Sequence, residues 1–176
     1  LLEGIHSRLR RQYPSLKVMY LTAESFANYF TEALREHRLP AFRRKFRGVD
    51  VLLVDDVDFL SSKRVIQEEF LHTVKQLEGH QRQIVVTADS HPRLLSRMSD
   101  ELTTRFLSGI VCRVENPDRE TRMKIVESRA ARLEAEIAPE ACAYIAQRFT
   151  NNVRELIGAL NCLDTYYGMT RRRIGL

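Results

Sequence analysis

One apolar segment constrains the fold of this chain more than any other feature. Residues 49–54 have the letters VDVLLV and run directly into Asp55 and Asp56. The segment has no continuous polar face and is rich in β-branched residues, which predicts a central strand in a sheet that is covered on both sides. Open α/β sheets bind their ligands at the carboxyl ends of such strands. The two acids therefore lie where a functional site is expected.

The adjacent carboxylates indicate a nucleotide site at that edge of the sheet. Two neighbouring acids are costly to desolvate unless a cation joins them, and a Mg²⁺ ion that carries phosphates meets this need. This is the Walker B pattern, in which the first acid organises the metal and the second polarises an attacking water. Asp55 and Asp56 are the candidates for these roles. The alternative is a strand that ends in an ordinary acidic turn.

Composition narrows the class of protein. With 176 residues and 44% apolar content, the chain can bury one good core and a small appendage. No apolar stretch approaches the length of a membrane span and the N-terminus lacks a signal-peptide layout, so we expect neither a transmembrane segment nor secretion. The cysteines are odd in number and widely spaced, which predicts reduced, buried thiols in a cytoplasmic protein. They are Cys112, Cys142 and Cys162.

The formal net charge of +5 is unevenly distributed. Arginines and one lysine crowd residues 35–47, and three consecutive arginines occupy residues 171–173. A basic excess is commonest in proteins that bind nucleic acid, but it is also compatible with a solvated surface. Charge alone leaves both interpretations open.

Periodicity predicts two structural regions. Strands are predicted at residues 17–21, 49–55, 83–88 and 110–114, with helices between them, and this alternation favours a parallel sheet with helices on both faces. From Asn116 onward only helices are predicted, starting near Asp118, Pro139 and Asn152. We therefore expect an α/β core over residues 1–115 and a small all-helical subdomain over residues 116–176. Gly158 in the last helix predicts close helix packing or a close backbone approach, because a mid-helix glycine costs about 1 kcal/mol relative to alanine.

Three further residues are weaker candidates when taken singly. Asp89 ends an apolar strand, where it can position a water or sense a γ-phosphate, although strands often end in Asp at a turn. Arg105 can stabilise charge on a phosphate if it is supplied by a neighbouring subunit, although a solvated helix face explains it equally well. Arg154 lies in a first helical turn, where the helix dipole disfavours a cation; a phosphate or a pairing with Glu155 would offset this.

In combination these motifs resemble the DnaA family of bacterial replication initiators, within the AAA+ ATPases. The matching letters are VDVLLVDDVDFL, QEEFLHTVKQL, QIVVTAD, TRF and NVRELIGALN, in the family's order between about Val18 and Leu163. The resemblance implies an AAA+ P-loop-type three-layer αβα fold with a helical lid, and ATP or ADP with Mg²⁺ as ligands. It also implies a homo-oligomeric filament that melts the replication origin, the replicative helicase machinery and initiation regulators as partners, and a cytoplasmic location.

The resemblance assigns nucleotide roles by position. Asp55 corresponds to the acid that organises Mg²⁺ and the nucleotide, Asp56 to the acid that acts on water, and Asp89 to the sensor 1 residue. Arg105 corresponds to the arginine finger that reaches a neighbour's ATP, and Arg154 to the sensor 2 arginine on the bound nucleotide.

The resemblance also suggests where DNA binds. The helices over residues 25–34 and 41–47 resemble the helical insertion of initiators and helicase loaders. In the family this insertion and the loop after Walker B hold single-stranded DNA. The corresponding positions here are Thr31, Lys63, Arg64 and Val65.

Several departures accompany the resemblance. The Gly-rich phosphate loop with its Lys-Thr does not occur in these residues, and Leu1-Leu2 resembles the pair that follows it. We therefore expect this sequence to begin just after the phosphate loop. We also expect the chain alone to be inactive as an ATPase. The family's C-terminal helix-turn-helix domain is also not among these residues. Asp58 replaces a usual Gln, Glu101 a frequent second arginine, Thr31 a usually apolar residue and Val65 a usually basic one.

Two other interpretations stay open. One is a DnaA-related AAA+ regulator that stimulates the initiator's hydrolysis, and a helix-turn-helix domain in the parent gene would argue against it. The other is a DNA-binding scaffold with an inactive nucleotide site, which the joint presence of all five nucleotide-site residues disfavours.

Overall fold

The computed structural model describes residues 1–175. The chain divides into two compact units, Leu1–Cys112 and a second unit that begins at Arg113. The assignment of residues 1–115 to a nucleotide-binding core and of residues 116–176 to a lid remains a prediction.

A three-stranded parallel sheet forms the centre of the first unit. Strands β1 (Val18–Thr22), β2 (Val51–Asp55) and β3 (Gln83–Val86) lie in that order, so β2 is central. The register pairs Asp55 with Thr22, and Val54 with Val86, which brings the carboxyl ends of the strands to one edge. The helices of this unit are α1 (Leu2–Gln12), α2 (Ala23–Arg35), α3 (Leu39–Arg47), α4 (Arg64–Gly79) and α5 (Asp100–Ser108), with 3-10 turns at Val57–Leu60 and Pro92–Leu94.

Helices cover both faces of the sheet. Val51 and Leu53 of β2 pack in a cluster with Leu2 of α1. The alternate residues of β2, Leu52 and Val54, face a larger cluster built with α2 to α5. Because successive side chains of a strand point to opposite faces, burial on both sides leaves no polar face. The prediction of a central, doubly covered strand is confirmed.

Phenylalanine rings attach α3 to the rest of the first unit. The Phe26 ring of α2 lies edge-on to three other rings, with centroids 5.3 Å from Phe42, 5.1 Å from Phe46 and 5.2 Å from Phe70. Such edge-to-face pairs contribute about 0.5–1.5 kcal/mol beyond their buried area. The helical pair α2–α3 is thus anchored on α4 through an aromatic cluster.

The second unit is helical. It contains α6 (Arg119–Ala130), α7 (Pro139–Arg148) and α8 (Val153–Thr170). The predicted caps are present: Asp118 accepts the Thr121 N–H at 2.8 Å, and Asn152 accepts the Glu155 N–H at 2.8 Å. The three helices share a core that includes Val126 of α6, Ile145 of α7, and Leu156 and Leu160 of α8. Among the described residues, no helix combines the length and apolar character that spanning a membrane requires.

Three predictions from the sequence are wrong. Residues 110–114 form no strand within the described chain, and Ile110 is 94% exposed, because no neighbouring strand pairs with this segment. Gly158 lies on the exposed side of α8, and apart from its own turn of helix a methyl group placed on it would meet no described atom within 4 Å. Of the cysteines, Cys142 is buried, whereas Cys112 and Cys162 are exposed on a connecting segment and on the outside of α8.

Candidate functional site

The Asp55 carboxylate lies between hydroxyl groups supplied from both neighbouring strands. Tyr20 Oη of β1 donates to Oδ2 at 3.1 Å, and Thr87 Oγ1, directly after β3, donates to Oδ1. Burial raises the pKa of Tyr20, and the hydrogen bond to Asp55 raises it further, so the phenol stays a donor at neutral pH. Each carboxylate oxygen has two lone pairs, which leaves an acceptor position on each for a cation or its water.

Thr87 joins the two adjacent acids. Its Oγ1 donates to Asp55 and also accepts the Asp56 backbone N–H at 3.0 Å. Asp56 has φ 58° and ψ 56°, the left-handed region that Asp tolerates better than most residues. This conformation turns the chain sharply out of β2 and leaves Asp56 exposed at the sheet edge. Backbone of this kind is concentrated at functional sites.

Asp89 lies at the same edge, two residues after Thr87. Its backbone N–H donates to Asp58 Oδ2 at 2.9 Å. Asp58 therefore ties the loop after β3 to the turn after β2. The structure brings Asp55, Asp56 and Asp89 together at one sheet edge, while their individual roles remain predictions.

The donor set at this edge suits a magnesium ion that is held mainly by water and phosphate. Within residues 1–175 no group of three or more His, Cys, Asp or Glu side chains forms a protein cage for a metal. Mg²⁺ commonly keeps several waters and binds one or two carboxylates together with substrate phosphates. Asp55, with a free acceptor position on each oxygen, fits such a role through water ligands.

Arg105 lies away from these acids in its own chain. It is on α5, and its Nη1 donates to Glu78 near the end of α4. Because β2 and β3 are parallel, α4 runs back from the carboxyl edge of the sheet to the amino edge. Glu78 comes 14 positions after Arg64, the first residue of α4 (78 minus 64), which is about 21 Å along the helix. The structure therefore does not bring Arg105 to Asp55 and Asp56.

Arg154 is exposed in the first turn of α8. The alternative pairing with Glu155 is not formed, because that carboxylate accepts from Asn151 at 3.3 Å and from Asn152 at 3.0 Å. No hydrogen bond or ion pair joins Arg154 to the rest of residues 1–175. The guanidinium is available to a ligand.

The predicted DNA-contacting residues lie on two segments. Thr31 is exposed on α2, but its hydroxyl donates to the Ala27 carbonyl at 2.8 Å and is occupied by its own helix. Lys63 precedes α4 instead of opening it, and Nζ lies 2.9 Å from the Phe59 ring centroid. Arg64 and Val65 form the first turn of α4, and both are exposed. Helix α2 contacts the turn Val57–Leu60 that leads to this segment.

Part of the basic segment 35–47 is neutralised inside the fold. Glu69 of α4 is only 4% exposed. It accepts hydrogen bonds from Arg43 Nε at 3.1 Å, Arg43 Nη2 at 2.7 Å and Arg47 Nη2 at 2.6 Å. These two arginines hold α3 against α4, so the density of basic letters overstates the charge that is free for nucleic acid.

Tyr20 and Thr87 orient the paired acids but were not predicted from the sequence. A polar tip inside an apolar strand was the available signal for Tyr20, since a buried tyrosine hydroxyl needs a partner. Thr87 stands two residues before Asp89 in QIVVTAD, but only the strand register shows that its hydroxyl meets β2.

Comparisons with known proteins identify the family. A family model described as the bacterial DnaA ATPase domain matches residues 1–113. The crystal structure of domain III from the Thermotoga maritima replication initiation protein DnaA is 36% identical, with a TM-score of 0.95, over 99% of this chain and 73% of that one.

Two further structures show the same likeness. The replication initiator DnaA bound to AMPPCP and single-stranded DNA is 33% identical, with a TM-score of 0.81, over 97% of this chain and 53% of that one. AMPPCP-bound DnaA from Aquifex aeolicus is 32% identical, with a TM-score of 0.76, over 91% of this chain and 51% of that one. This chain spans about half the length of these two relatives.

A more distant match agrees on the fold alone. The Thermotoga maritima RuvB Holliday junction branch migration motor is 18% identical, with a TM-score of 0.60, over 90% of this chain and 49% of that one. The architecture is therefore the α/β AAA+ fold, with a parallel sheet, flanking helices and a helical C-terminal part. The family match and the likeness to solved DnaA structures together show that this chain belongs to the DnaA family.

Proposed function

We propose that this chain is the ATPase core of a bacterial chromosomal replication initiator. It binds ATP or ADP with Mg²⁺ at the carboxyl edge of the sheet and assembles in the ATP state into a homo-oligomeric filament on the replication origin. The filament holds single-stranded DNA as the duplex melts, and hydrolysis acts as a regulatory switch. Its partners are the replicative helicase machinery and initiation regulators, and its location is cytoplasmic.

The observation that carries this proposal is the pair of acids that Thr87 joins at the end of β2. Tyr20 and Thr87 hold the Asp55 carboxylate, which would bind a Mg²⁺ ion through water ligands. When bound with the nucleotide, that ion would supply charge neutralisation for the phosphate oxygens. Asp56, exposed at the same edge, orients the attacking water, and Asp89 positions the water or the γ-phosphate from the neighbouring loop.

The position of Arg105 supports a role across a subunit boundary. It lies about 21 Å along α4 from the end at which its own acids are found. Its partner Glu78 does not prevent that role, since the two side chains are 31% and 39% exposed. Exposed ion pairs contribute only about 0–1 kcal/mol, so a neighbour's phosphate can replace Glu78. Arg154, which has no partner among residues 1–175, is proposed to contact the nucleotide bound by its own chain.

The DNA part of the proposal concerns the start of α4. A DnaA relative 33% identical to this chain was solved with AMPPCP, an ATP analogue, and single-stranded DNA. Lys63 and Arg64 are two cations at a helix N-terminus, where the dipole disfavours positive charge unless an anion offsets it. We propose that phosphates of a single strand supply that anion, with Val65 and Thr31 lining the same path.

The test compares two arginines in a loop-bearing form, meaning this chain preceded by a G-x-x-G-x-G-K-T phosphate loop. Arg105→Ala should leave the monomer's affinity for a fluorescent ATP analogue within about twofold and should abolish ATP-dependent oligomers in sedimentation, because the finger contacts another subunit's nucleotide. Arg93→Ala, which removes an exposed arginine from the turn before α5, is the matched control and should assemble normally. Weaker nucleotide binding by the Arg105→Ala monomer would refute the role across subunits.

A further inference from the structure

Gln67 of α4 is a buried side chain whose hydrogen-bonding groups are all used. It is 3% exposed. Its Nε2 donates to the Leu60 carbonyl at 2.8 Å and to the Arg97 carbonyl at 2.9 Å, while Oε1 accepts the Ser99 N–H at 2.8 Å. A side-chain amide offers two donor hydrogens and one carbonyl oxygen, and each of them has a partner here. A fully satisfied buried polar group specifies one geometry for the segments that it joins.

The partners of Gln67 belong to two segments with different proposed roles. Leu60 closes the turn after β2, directly before the segment proposed to contact DNA. Ser99 is the N-cap of α5, the helix that carries Arg105. The backbone adds one more link, since the Ser62 N–H donates to the Arg97 carbonyl at 3.3 Å. Arg97 has φ 64°, so this junction is also held in the left-handed region.

Three contacts join α5 and its N-cap to α4, and their order along the two helices is the same. Ser99 contacts Gln67, Glu101 pairs with Lys75, and Arg105 pairs with Glu78. The two ion pairs are partly exposed, and such pairs are individually weak and screened by salt. The contact with Gln67 is neutral, and the Gln67 side chain that accepts it is buried, so salt screens this contact less than it screens the two ion pairs.

We propose that Gln67 is a positioning residue that fixes α5, and with it Arg105, relative to the loop after β2. Without the amide, α5 keeps the core packing of Leu102 but loses the hydrogen bond that fixes its N-cap, and Arg105 no longer meets a neighbour's nucleotide in the reactive geometry. A misplacement of about 1 Å can lower a rate about 100-fold. The proposal rests on the proposed function, because it takes Arg105 to act across a subunit boundary.

The first experiment measures the anchor itself in this chain. Gln67→Met keeps a side chain of similar length but removes the amide, so the Ser99 N–H loses its acceptor. Hydrogen exchange at the Ser99 backbone amide should become about fivefold to tenfold faster, in line with the loss of one hydrogen bond. Ser99→Ala is the matched control, because it removes only the hydroxyl that accepts the Leu102 N–H and keeps the Ser99 backbone N–H. Unchanged exchange at residue 99 in Gln67→Met would overturn the proposal.

The second experiment mixes variants of the loop-bearing form and measures ATP hydrolysis. Asp56→Asn supplies an intact finger but no active site, and Arg105→Ala supplies an active site but no finger. Gln67→Met alone should hydrolyse ATP about tenfold or more below wild type. Adding Asp56→Asn should restore its hydrolysis, whereas adding Arg105→Ala should not. This asymmetry separates a misplaced finger from a general loss of folding, which neither partner would rescue.

The outcomes distinguish the two proposals. Wild-type hydrolysis by Gln67→Met alone, or rescue of Gln67→Met by Arg105→Ala, would overturn the positioning role. Normal assembly and hydrolysis by Arg105→Ala alone would instead refute the proposed function, and amide exchange at residue 99 still decides whether Gln67 anchors α5.

Discussion

Removal of the Glu69 carboxylate is expected to loosen the attachment of α3 to α4. Glu69 accepts two hydrogen bonds from Arg43 and one from Arg47, and it is 4% exposed. The variant Glu69→Ala leaves both guanidinium groups without their carboxylate. The aromatic cluster around Phe26 remains, so α3 should stay attached and the protein should still fold.

The size of the effect follows from the exposure of the two arginines. Breaking a buried ion pair by removing one partner costs about 3–5 kcal/mol. The Arg43 side chain is 45% exposed and can be rehydrated, but the Arg47 side chain is only 18% exposed. Arg47 Nε is already buried without a hydrogen-bond partner among residues 1–175. We therefore expect a value near the lower limit, about 3 kcal/mol, which corresponds to a decrease in Tm of about 10 °C.

Urea unfolding followed by far-UV circular dichroism measures this change. The matched control is Glu68→Ala, one position earlier, where the side chain is exposed and the expected change is within about 0.5 kcal/mol. A loss below about 1 kcal/mol for Glu69→Ala, or an equal loss for both variants, would contradict the argument that the buried carboxylate holds α3.

The Glu69 carboxylate should also make the free energy of unfolding depend on pH. Burial acts to raise the pKa of Glu69, but the hydrogen bonds and charges of Arg43 and Arg47 outweigh it and hold the pKa below the ordinary value of 4.5. Because the folded-state pKa is lower than the unfolded one, the stabilisation is fully present above the ordinary value and is lost as the pH falls through the folded-state pKa. The difference in unfolding free energy between wild type and Glu69→Gln should shrink below pH 4.5 and stay constant at neutral pH. A difference that does not change on acidification would contradict this.

Three other variants test the nucleotide edge and the DNA segment in the loop-bearing form. Asp56→Asn should bind ATP within about twofold of wild type but hydrolyse it at least about 100-fold more slowly, and a large loss of affinity would contradict its role on water. Thr87→Val keeps the shape but removes the hydroxyl that joins the acids, so single-turnover hydrolysis should fall about tenfold or more; an unchanged rate would show that the bridge is dispensable. Replacing Lys63 and Arg64 with Ala should weaken single-strand binding on every sequence alike and reduce its salt dependence, as measured by anisotropy at several salt concentrations. An unchanged affinity and an unchanged salt dependence would show that Lys63 and Arg64 do not contact the DNA.

The sheet and its functional edge could be predicted because their signals are local. The letters of β2 carry no polar face, and burial on both sides of a parallel sheet is the physical cause of that pattern. Asp55 and Asp56 follow directly along the chain, so their position at the strand end needs no tertiary knowledge. The signals for the helix starts at Asp118 and Asn152 were also local, since an N-cap side chain accepts a hydrogen bond from a backbone N–H no more than three residues later.

The missed residues depend on contacts between distant parts of the chain. Thr87 meets Asp55 only because β3 lies beside β2 in one particular register. Gln67 looks like one polar letter in an amphipathic helix until the turns at Leu60 and Arg97 are seen to converge on it. The error at residues 110–114 has a related cause: a short apolar, β-branched segment forms a strand only where a neighbouring strand supplies backbone hydrogen bonds.

The distribution of charge links the DNA part of the proposed function to assembly. Net charge could not reveal that Arg43 and Arg47 are bound to Glu69, so fewer cations than the sequence suggests are free for phosphates. If Lys63 and Arg64 each meet one phosphate, the salt dependence of single-strand binding has a slope of about −1.4 per subunit, which is too shallow for tight binding by one copy. Subunits lined up along one strand add their contacts at high effective concentration. Single-strand affinity in this proposal therefore depends on the ATP-driven assembly that Arg105 supports, and a subunit that cannot assemble should bind single strands only weakly.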